Sequence, residues 1–305
     1  MLRLIKRLIE EGVDMRIINF GSLNIDKTYS VPHIVKEGET ISSLAYQEFV
    51  GGKGLNQSIA IARAGGQVWH AGLVGHEDGE ILLQALEESG VHTEFVEKRT
   101  IASGHTIIQV DNEGKNSIIV SGGANRDIDE LYIDKVLSYF SAGDLLLLQN
   151  EVSCFSTIID KAHEKGLEIY LNPSPMDGEV LSADLKKIDC FLINEIEGQI
   201  LTGEKESAKI MEVMRIMYPK ASLVLTLGAE GAYYQKESQQ VFAPSFKVQA
   251  IDTTGAGDTF CGYFIASLTK GECIQESLRK ASRAASLACT VKGASNSIPM
   301  REDVY

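Results

Sequence analysis

The sequence predicts an α/β fold: a mostly parallel central sheet flanked by helices, with a small inserted β-sheet lid. From Asp127 onward, short apolar runs alternate with amphipathic charged segments, as in βαβ units whose strands are buried on both faces. Two other segments, near residues 24–50 and 100–123, are strand-rich and do not fit that layer. We therefore expect one domain over residues 15–305, with the lid strands inserted at those two places.

The predicted elements follow one another along the chain. Residues 15–20 form a short apolar first strand, and residues 54–65 show helical periodicity. Within the lid, strand-like residues 106–110 and 117–120 flank Asn112-Glu113-Gly114, a hairpin turn signal. The later chain is predicted to hold strands at 145–148, 169–171, 190–193 and 223–227, helices at 152–165, 205–218 and 260–268, and an alternating apolar run at 242–251.

Composition and charge limit the class of protein. Of 305 residues, 44% are hydrophobic and 23% charged, which supplies a sizeable core. The formal net charge of -13 would repel a phosphate backbone and argues against nucleic-acid binding. The five cysteines are scattered and include no C-x-x-C pair, which indicates a reducing, cytoplasmic setting.

Residues 1–14 are expected to be an extension ahead of the domain. Their apolar residues recur at helical spacing, but Lys6 and Arg7 interrupt the run. The segment is too short and too charged for a signal peptide or a membrane span. A short amphipathic helix that touches a partner or a membrane surface is the alternative.

A glycine-rich turn before a helix carries the strongest functional signal. In residues 252–260 (DTTGAGDTF), Gly255, Ala256 and Gly257 precede Asp258, and helical character follows. Such a turn presents free N–H groups at the positive end of a helix dipole, which suits a polyphosphate. Asp258, in the first turn, could accept the proton of an attacking hydroxyl. Alone, the motif also fits an ordinary tight turn.

Two further segments suit a polyhydroxylated ligand. Residues 51–57 (GGKGLNQ) place Gly52, Lys53 and Asn56 between a strand and a helix, without the spacing of a P-loop or a dinucleotide fingerprint. Asn24 and Asp26 follow the first strand, where side chains two apart point the same way. The alternative for Asn24-x-Asp26 is an Asx turn with a helix cap.

Together these segments resemble the PfkB family, the ribokinase-like carbohydrate kinases. Residues 51–66 and 252–264 resemble its two signatures, and Asn194-x-x-Glu197 occurs in family order. The resemblance, from residue 15 to about 299, implies ATP-dependent phosphorylation of a primary hydroxyl, with D-ribose going to ribose 5-phosphate. Deoxyribose, fructose or a nucleoside are alternative substrates, and a non-catalytic sugar sensor is the alternative outside enzymes.

The resemblance also implies roles for individual residues. Asp258 would be the catalytic base beside Gly255, Ala256 and Gly257, and Glu197 would hold Mg²⁺ through water. The sugar would contact Asn24, Asp26, Gly52, Lys53, Asn56, Glu151 and Asp258. ATP would contact Asn194, Thr226, Gly228, Gly231 and Gly257. A K⁺ ion would lie near Asp252, Thr254, Ala288, Val291, Gly293 and Ser297.

Three departures from the family pattern bear on the identity of the sugar. Leu55 stands beside the expected sugar contacts where Ala is common, His105 occupies a lid position that is usually apolar, and residues 121–125 (SGGAN) differ slightly from the usual form. All three leave phosphoryl transfer intact. Exposed lid strand edges, together with the resemblance, predict a homodimer formed through the lids.

Overall fold

The structure, a computed structural model, describes residues 15–305. The predicted N-terminal extension, residues 1–14, lies outside the described residues. In residues 15–305 the strands are β1 (Ile17–Phe20), β2 (Asn24–Ser30), β3 (Ala45–Gly51), β4 (Val68–Gly75), β5 (His92–Arg99), β6 (Gly104–Val110), β7 (Asn116–Ser121), β8 (Leu145–Gln149), β9 (Glu168–Asn172), β10 (Cys190–Asn194), β11 (Ser222–Thr226), β12 (Gly231–Lys236) and β13 (Gln239–Pro244).

The helices lie mainly between these strands. They are α1 (Lys53–Arg63), α2 (Glu80–Glu88), α3 (Glu130–Leu137), α4 (Phe155–Lys165), α5 (Gly178–Ser182), α6 (Glu195–Thr202), α7 (Ser207–Met217), α8 (Ala256–Thr269), α9 (Ile274–Ala288) and α10 (Arg301–Val304). Short 3₁₀ turns occur at Gly123–Arg126, Leu185–Lys187, Gly228–Glu230 and Ser295–Ser297. None of the helices in residues 15–305 has the length and apolar character needed to cross a bilayer.

The large sheet has nine strands in the order β13-β12-β11-β10-β9-β8-β1-β4-β5. Neighbouring strands from β5 to β11 are parallel, and β12 and β13 add an antiparallel hairpin at one edge. The central strands are buried on both faces, because helices cover the sheet above and below. This confirms the predicted mostly parallel sheet.

The second sheet is small and has the order β3-β2-β6-β7. Its strands fall within the two excursions predicted from the sequence, and the β6–β7 hairpin turns at the predicted Asn112-Glu113-Gly114. Strand β7 carries exposed apolar side chains on both of its faces: Ile118 is 52% exposed and Val120 65% on one face, and Ile119 is 61% exposed on the other. We refer to this four-stranded sheet as the lid sheet.

Three local predictions differ from the structure. Strands β4 and β5 were not predicted, since β4 carries Trp69 and His70 among its apolar residues and β5 alternates charged positions. The run at 242–251 is a strand only as far as Pro244, because proline has no N–H to continue the ladder. Residues 245–250 instead border a cavity described below.

Candidate active site

The glycine turn predicted at residues 255–258 opens helix α8. Gly255 is the N-cap with φ 75°, a left-handed backbone that glycine adopts without strain. Ala256, Gly257 and Asp258 form the first turn; the Ala256 N–H donates to the Thr253 carbonyl at 3.3 Å, and the N–H groups of Gly257 and Asp258 have no carbonyl partner within the helix. An ideal Cβ at Gly257 would meet no atom of another segment within 4 Å among the described residues. The space beside this turn is therefore open to a ligand.

The Asp258 carboxylate is buried and held by two amides of α1. Asn56 Nδ2 donates to Asp258 Oδ2 at 3.1 Å, and Gln57 Nε2 donates to Asp258 Oδ1 at 2.9 Å. Asp258 itself is only 7% exposed. Asn56 Oδ1 is buried and has no hydrogen-bond partner among residues 15–305. The two donated hydrogen bonds fix both oxygens of the Asp258 carboxylate.

The second glycine turn leads into α1 and is tied to Glu151. Gly52, the N-cap of α1, has φ 96°, which a residue with a side chain adopts only with strain. The Lys53 N–H donates to Glu151 Oε2 at 3.0 Å, and the Ser22 hydroxyl donates to the same oxygen. Burial raises the pKa of Glu151 despite these hydrogen bonds. Glu151 thus braces the turn that carries Lys53 and Asn56.

Lys53 provides positive charge among three carboxyl groups. Its pKa is raised above the ordinary value, chiefly by the charge of Asp258 and further by Glu151 and Glu197, although burial acts in the opposite direction. Lys53 therefore stays protonated at neutral pH. It lines the same cavity as Asp258 and Glu197. The ammonium group is placed to attract an anionic ligand to this cavity.

Asn24 and Asp26 lie within strand β2 of the lid sheet, and not in an Asx turn. Being two residues apart in one strand, they share a face of the sheet. Asn24 Oδ1 accepts from Asn125 Nδ2 at 2.7 Å, and Asp26 Oδ1 accepts from the Thr106 hydroxyl at 2.6 Å. Burial raises the pKa of Asp26, against the effect of that hydroxyl. The lid thus presents one amide and one carboxyl group side by side.

Asn194 and Glu197 form a capping box at the start of α6. The Glu197 N–H donates to Asn194 Oδ1 at 2.9 Å, and the Asn194 N–H donates to Glu197 Oε2 at 3.0 Å. Burial raises the pKa of Glu197, more than the Asn194 N–H lowers it. Both residues line the cavity that contains Asp258. The structure places the pair at the predicted helix start.

Two adjoining cavities meet at the α8 turn. A polar cavity of about 250 Å³ contains Lys53, Asn194, Glu197, Gly255 and Asp258 among its lining residues. A larger, apolar cavity has a volume of about 660 Å³. Its lining includes two residues predicted for the nucleotide site, Gly228 and Gly231. It also includes residues without that prediction: Ala256, Phe246, Lys247, Val248, Ala250, Ser282 and Cys289. Thr226, Thr253, Gly257 and Phe260 border both cavities. An apolar space next to a polar one suits a nucleotide whose phosphates reach Asp258.

The residues expected around a monovalent cation lie on two facing segments. Asp252 Oδ1 accepts from the N–H and the hydroxyl of Thr254, and Asp252 Oδ2 accepts from the Gly293 N–H at 2.9 Å. Partial burial acts to raise the pKa of Asp252, but these hydrogen bonds together lower it. The remaining expected residues lie on the segment that carries Gly293: Ala288, Val291 and Ser297. Within residues 15–305, none of the three hydrogen-bonds to the Asp252 carboxylate.

Two of the three departures from the family pattern point away from the site, whereas Asn125, in the third, donates to Asn24 Oδ1. Leu55 is fully buried and packs in the hydrophobic core beneath α1. His105 pairs with Ile25 across the lid sheet, so it lies on the face opposite to Asp26 and Thr106. Neither residue therefore distinguishes between sugars through the face that carries Asp26.

Sequence reasoning assigned no role to several polar residues that contact the predicted ones. Gln57 follows Asn56 in the quoted motif, and its contact with Asp258 spans 201 positions of sequence. Thr106 and Asn125 were also missed, because the register that pairs Thr106 with Asp26 joins two strands far apart in sequence, and alternation within one strand does not specify it. The residues lining the apolar cavity at 245–250 carry no motif that would have identified them.

Comparisons with known proteins agree with this architecture. A family model described as "pfkB family carbohydrate kinase" matches residues 15–301. The chain is 36% identical to a ribokinase of Bacillus subtilis, with 93% of this chain and 96% of that protein covered. It is 32% identical to a deoxyribokinase of Salmonella typhi, with 94% and 97% covered. An Arabidopsis thaliana ribokinase solved with ribose and ATP superimposes with a TM-score of 0.84 at 29% identity, covering 96% and 98%. The chain belongs to the pfkB family of carbohydrate kinases.

Proposed function

We propose that this kinase transfers the terminal phosphoryl group of ATP to the primary hydroxyl of D-ribose, giving ribose 5-phosphate. One observation carries the proposal. The Asp258 carboxylate is buried beside the polar cavity, next in sequence to Gly257 at the junction with the apolar cavity, and amides from α1 hold both of its oxygens. A general base at that junction can reach a sugar hydroxyl and the end of a nucleotide together.

The residues divide the reaction between them. Asp258 accepts the proton of the sugar hydroxyl as its oxygen forms a bond to the terminal phosphorus, and the bond from that phosphorus to the ADP oxygen breaks. The N–H groups at the start of α8 and the Lys53 ammonium face the charge on the transferring group. Closure of the lid sheet over the sugar excludes water from the phosphoryl donor.

Mg²⁺ fits the polar cavity through Glu197. Within residues 15–305, no cluster of three or more His, Cys, Asp or Glu side chains is arranged to hold a metal. Mg²⁺ in kinases is bound by few carboxylates, together with waters and substrate phosphates, so one buried glutamate beside the phosphate space is an adequate protein ligand. When bound, the ion would neutralise charge on the phosphates.

K⁺ fits the segment around Asp252. The hydrogen bonds that lower the pKa of Asp252 keep this carboxylate ionised, so a negative charge persists beside the loop that carries Gly293. The expected ligands are mainly backbone carbonyls, which suit a large monovalent cation. The loop lies close to the anion-binding turn, since an ideal Cβ at Gly255 would lie 3.0 Å from Ala294 Cα.

The polar groups of the lid favour a free pentose over a nucleoside. Asn24 and Asp26 each keep one polar side-chain atom, Nδ2 and Oδ2, beside the oxygen that the protein already engages, and these can bind ligand hydroxyls. The aromatic Phe49 lies opposite Asp26 on the lid sheet and is the platform that a nucleobase would use. Deoxyribose, which lacks one hydroxyl, remains the alternative within this family.

We also propose a homodimer formed through the lid sheets and a cytoplasmic setting. The exposed apolar side chains of β7 would be covered by a second copy of the chain. All five cysteines are free, which suits a reducing compartment.

The test is ADP release with Mg²⁺, K⁺ and ATP against ribose, deoxyribose, fructose and nucleosides. We expect turnover with ribose to exceed that with the other substrates, and Asp258→Asn to lose turnover by about 100-fold or more while ribose binding is retained. Higher turnover with deoxyribose than with ribose would make deoxyribose the substrate. Near-wild-type turnover in Asp258→Asn would overturn the mechanism. No ADP release with any member of the panel would favour the non-catalytic sensor.

A further inference from the structure

A chain of buried hydrogen bonds runs from Asp258 into the core. Gln57 Nε2 donates to Asp258 Oδ1 at 2.9 Å and to Asn172 Oδ1 at 3.1 Å. Gln57 Oε1 accepts from Gln149 Nε2 at 2.7 Å, and Gln149 Nε2 also donates to Asn19 Oδ1 at 3.1 Å. The side chains of Gln57, Gln149 and Asn19 are completely buried. Solvent therefore does not compete for these hydrogen bonds.

The far end of the chain fixes the direction of each hydrogen bond. Asn19 Nδ2 donates to the Gly54 carbonyl and to Ser58 Oγ, both at 2.8 Å. Ser58 Oγ lies 2.8 Å from His70 Nδ1, and His70 Nε2 lies 3.1 Å from the Gly21 carbonyl. Because that carbonyl can only accept, His70 carries its proton on Nε2, and the Ser58 hydroxyl donates to Nδ1.

Only one orientation of the Gln57 amide satisfies these contacts. If the amide were turned over, its oxygen would face Asp258 Oδ1, and its nitrogen would face the donor group of Gln149. Both contacts would be repulsive. Side-chain amides do not exchange protons with a carboxylate at neutral pH, so the chain does not conduct protons. The hydrogen-bond chain instead fixes the orientation of the Asp258 carboxylate.

We propose that Gln57 is a positioning residue for the general base. Held by Gln149 and Asn172, it fixes one oxygen of Asp258, while Asn56 fixes the other from the sugar-binding turn. The carboxylate then keeps a lone pair directed at the sugar hydroxyl. This inference rests on the proposed role of Asp258 as the base.

The charged surroundings of Asp258 must be separated from the effect of Gln57. The charged groups near Asp258 are Lys53, Glu151 and Glu197, and the Cys261 thiol, whose pKa burial raises well above its ordinary value, lies on the following turn of α8. None of these groups is altered by a substitution at Gln57. A change in the behaviour of Asp258 can therefore be attributed to the amide.

The test compares Gln57→Met with Gln57→Glu. Gln57→Met removes both donors at similar length, and we expect kcat to fall by about 10- to 100-fold, while the Kd for ribose, measured by calorimetry, changes less than about 3-fold. Gln57→Glu places a second acid against Asp258 Oδ1, and we expect the acidic limb of the pH profile of kcat to move to higher pH by about one unit or more. Two results would overturn the proposal: a kcat of Gln57→Met within 3-fold of wild type, or an acidic limb of Gln57→Glu at the same pH as in wild type.

Two variants keep the test decisive. Gln149→Met, which does not touch Asp258, should lower kcat in the same direction and add little to Gln57→Met in the double variant; it carries the test if Gln57→Met fails to fold. Gln235→Met is the matched control, because Gln235 is a buried glutamine of β12 that makes two hydrogen bonds and pairs with Leu223, away from the cavity-lining Thr226 of β11. An equal loss of kcat in Gln235→Met would assign the effect to general destabilisation and overturn the proposal.

The two proposals fail in different ways. Inactive Asp258→Asn together with normal Gln57 variants would overturn the positioning role alone. Active Asp258→Asn would overturn the base assignment itself, whatever the Gln57 variants do.

Discussion

Replacing Gly257 with alanine separates phosphate binding from folding. An ideal Cβ at this position meets no atom of another segment within 4 Å in the described part of the chain, so the methyl group needs no rearrangement. Alanine also favours a helix over glycine by about 0.5–1 kcal/mol. We therefore expect Gly257→Ala to unfold at the same temperature as wild type or up to about 3 °C higher.

Activity should change in the opposite direction. Gly257 borders both cavities, so the added methyl group occupies the space where the nucleotide phosphates meet the α8 turn. Losing one hydrogen bond to a charged group costs about 1.5–3 kcal/mol. That energy corresponds to a loss of about 10- to 150-fold in kcat/KM for ATP.

The assay pairs thermal unfolding with steady-state kinetics in which ATP is varied. Gly255→Ala is the matched control: its φ is 75° and its Cβ would lie 3.0 Å from Ala294 Cα, so this variant should lose stability, by about 1–2 kcal/mol from the backbone alone. A folded Gly257→Ala enzyme with wild-type kcat/KM for ATP would refute the reasoning, because it would show that phosphates do not approach this turn.

Three further predictions concern pH, cations and assembly. Burial lowers the pKa of His70 to about 4. Since the unfolded chain, with a histidine pKa of about 6.5, binds this proton more readily, His70 should lower the free energy of unfolding by about 1.3 kcal/mol between pH 7.5 and 5.5. Carboxyl groups with raised pKa act in the opposite direction. Urea titrations of wild type and His70→Asn would measure this contribution as the difference between their pH dependences, and equal pH dependences would contradict it. Asp252→Asn should raise the K⁺ concentration for half-activation about 10-fold, and an unchanged K⁺ curve would exclude this site. Ile119→Glu should convert a dimer to a monomer in light scattering. A wild-type chain that is monomeric at micromolar concentration would contradict the proposed dimer through the lid sheets.

The large sheet could be predicted because its signals are local. The apolar runs that became β8, β9, β10 and β11 are buried on both faces, so they carry no polar alternation that could be mistaken for another element. Strand β5 lies at the sheet edge, and its charged side chains conceal the strand pattern. Edge strands are hard to predict because solvent tolerates any residue on their exposed side.

The site could be predicted in part, and the division has a physical cause. The turn that carries Asp258 and the capping box of Asn194 and Glu197 each lie within one short segment, so their sequence patterns describe them fully. The contacts of Gln57 with Asn172 and Asp258 join residues 115 and 201 positions apart. No local pattern specifies such contacts, because they depend on how α1 and α8 pack together over the sheet.

The charges of the polar cavity explain why neutral amides hold the base. Asp258, Glu151 and Glu197 surround Lys53, and nucleotide phosphates would add more negative charge. Two like charges about 5 Å apart repel by about 3 kcal/mol at an effective dielectric constant of about 20. The α8 N-terminus supplies only about half a positive charge, which supports the proposed need for bound cations. The amides of Asn56 and Gln57 fix both oxygens of Asp258 without adding a formal charge to the cavity, so the carboxylate is oriented while the bound cations remain free to act on the phosphates.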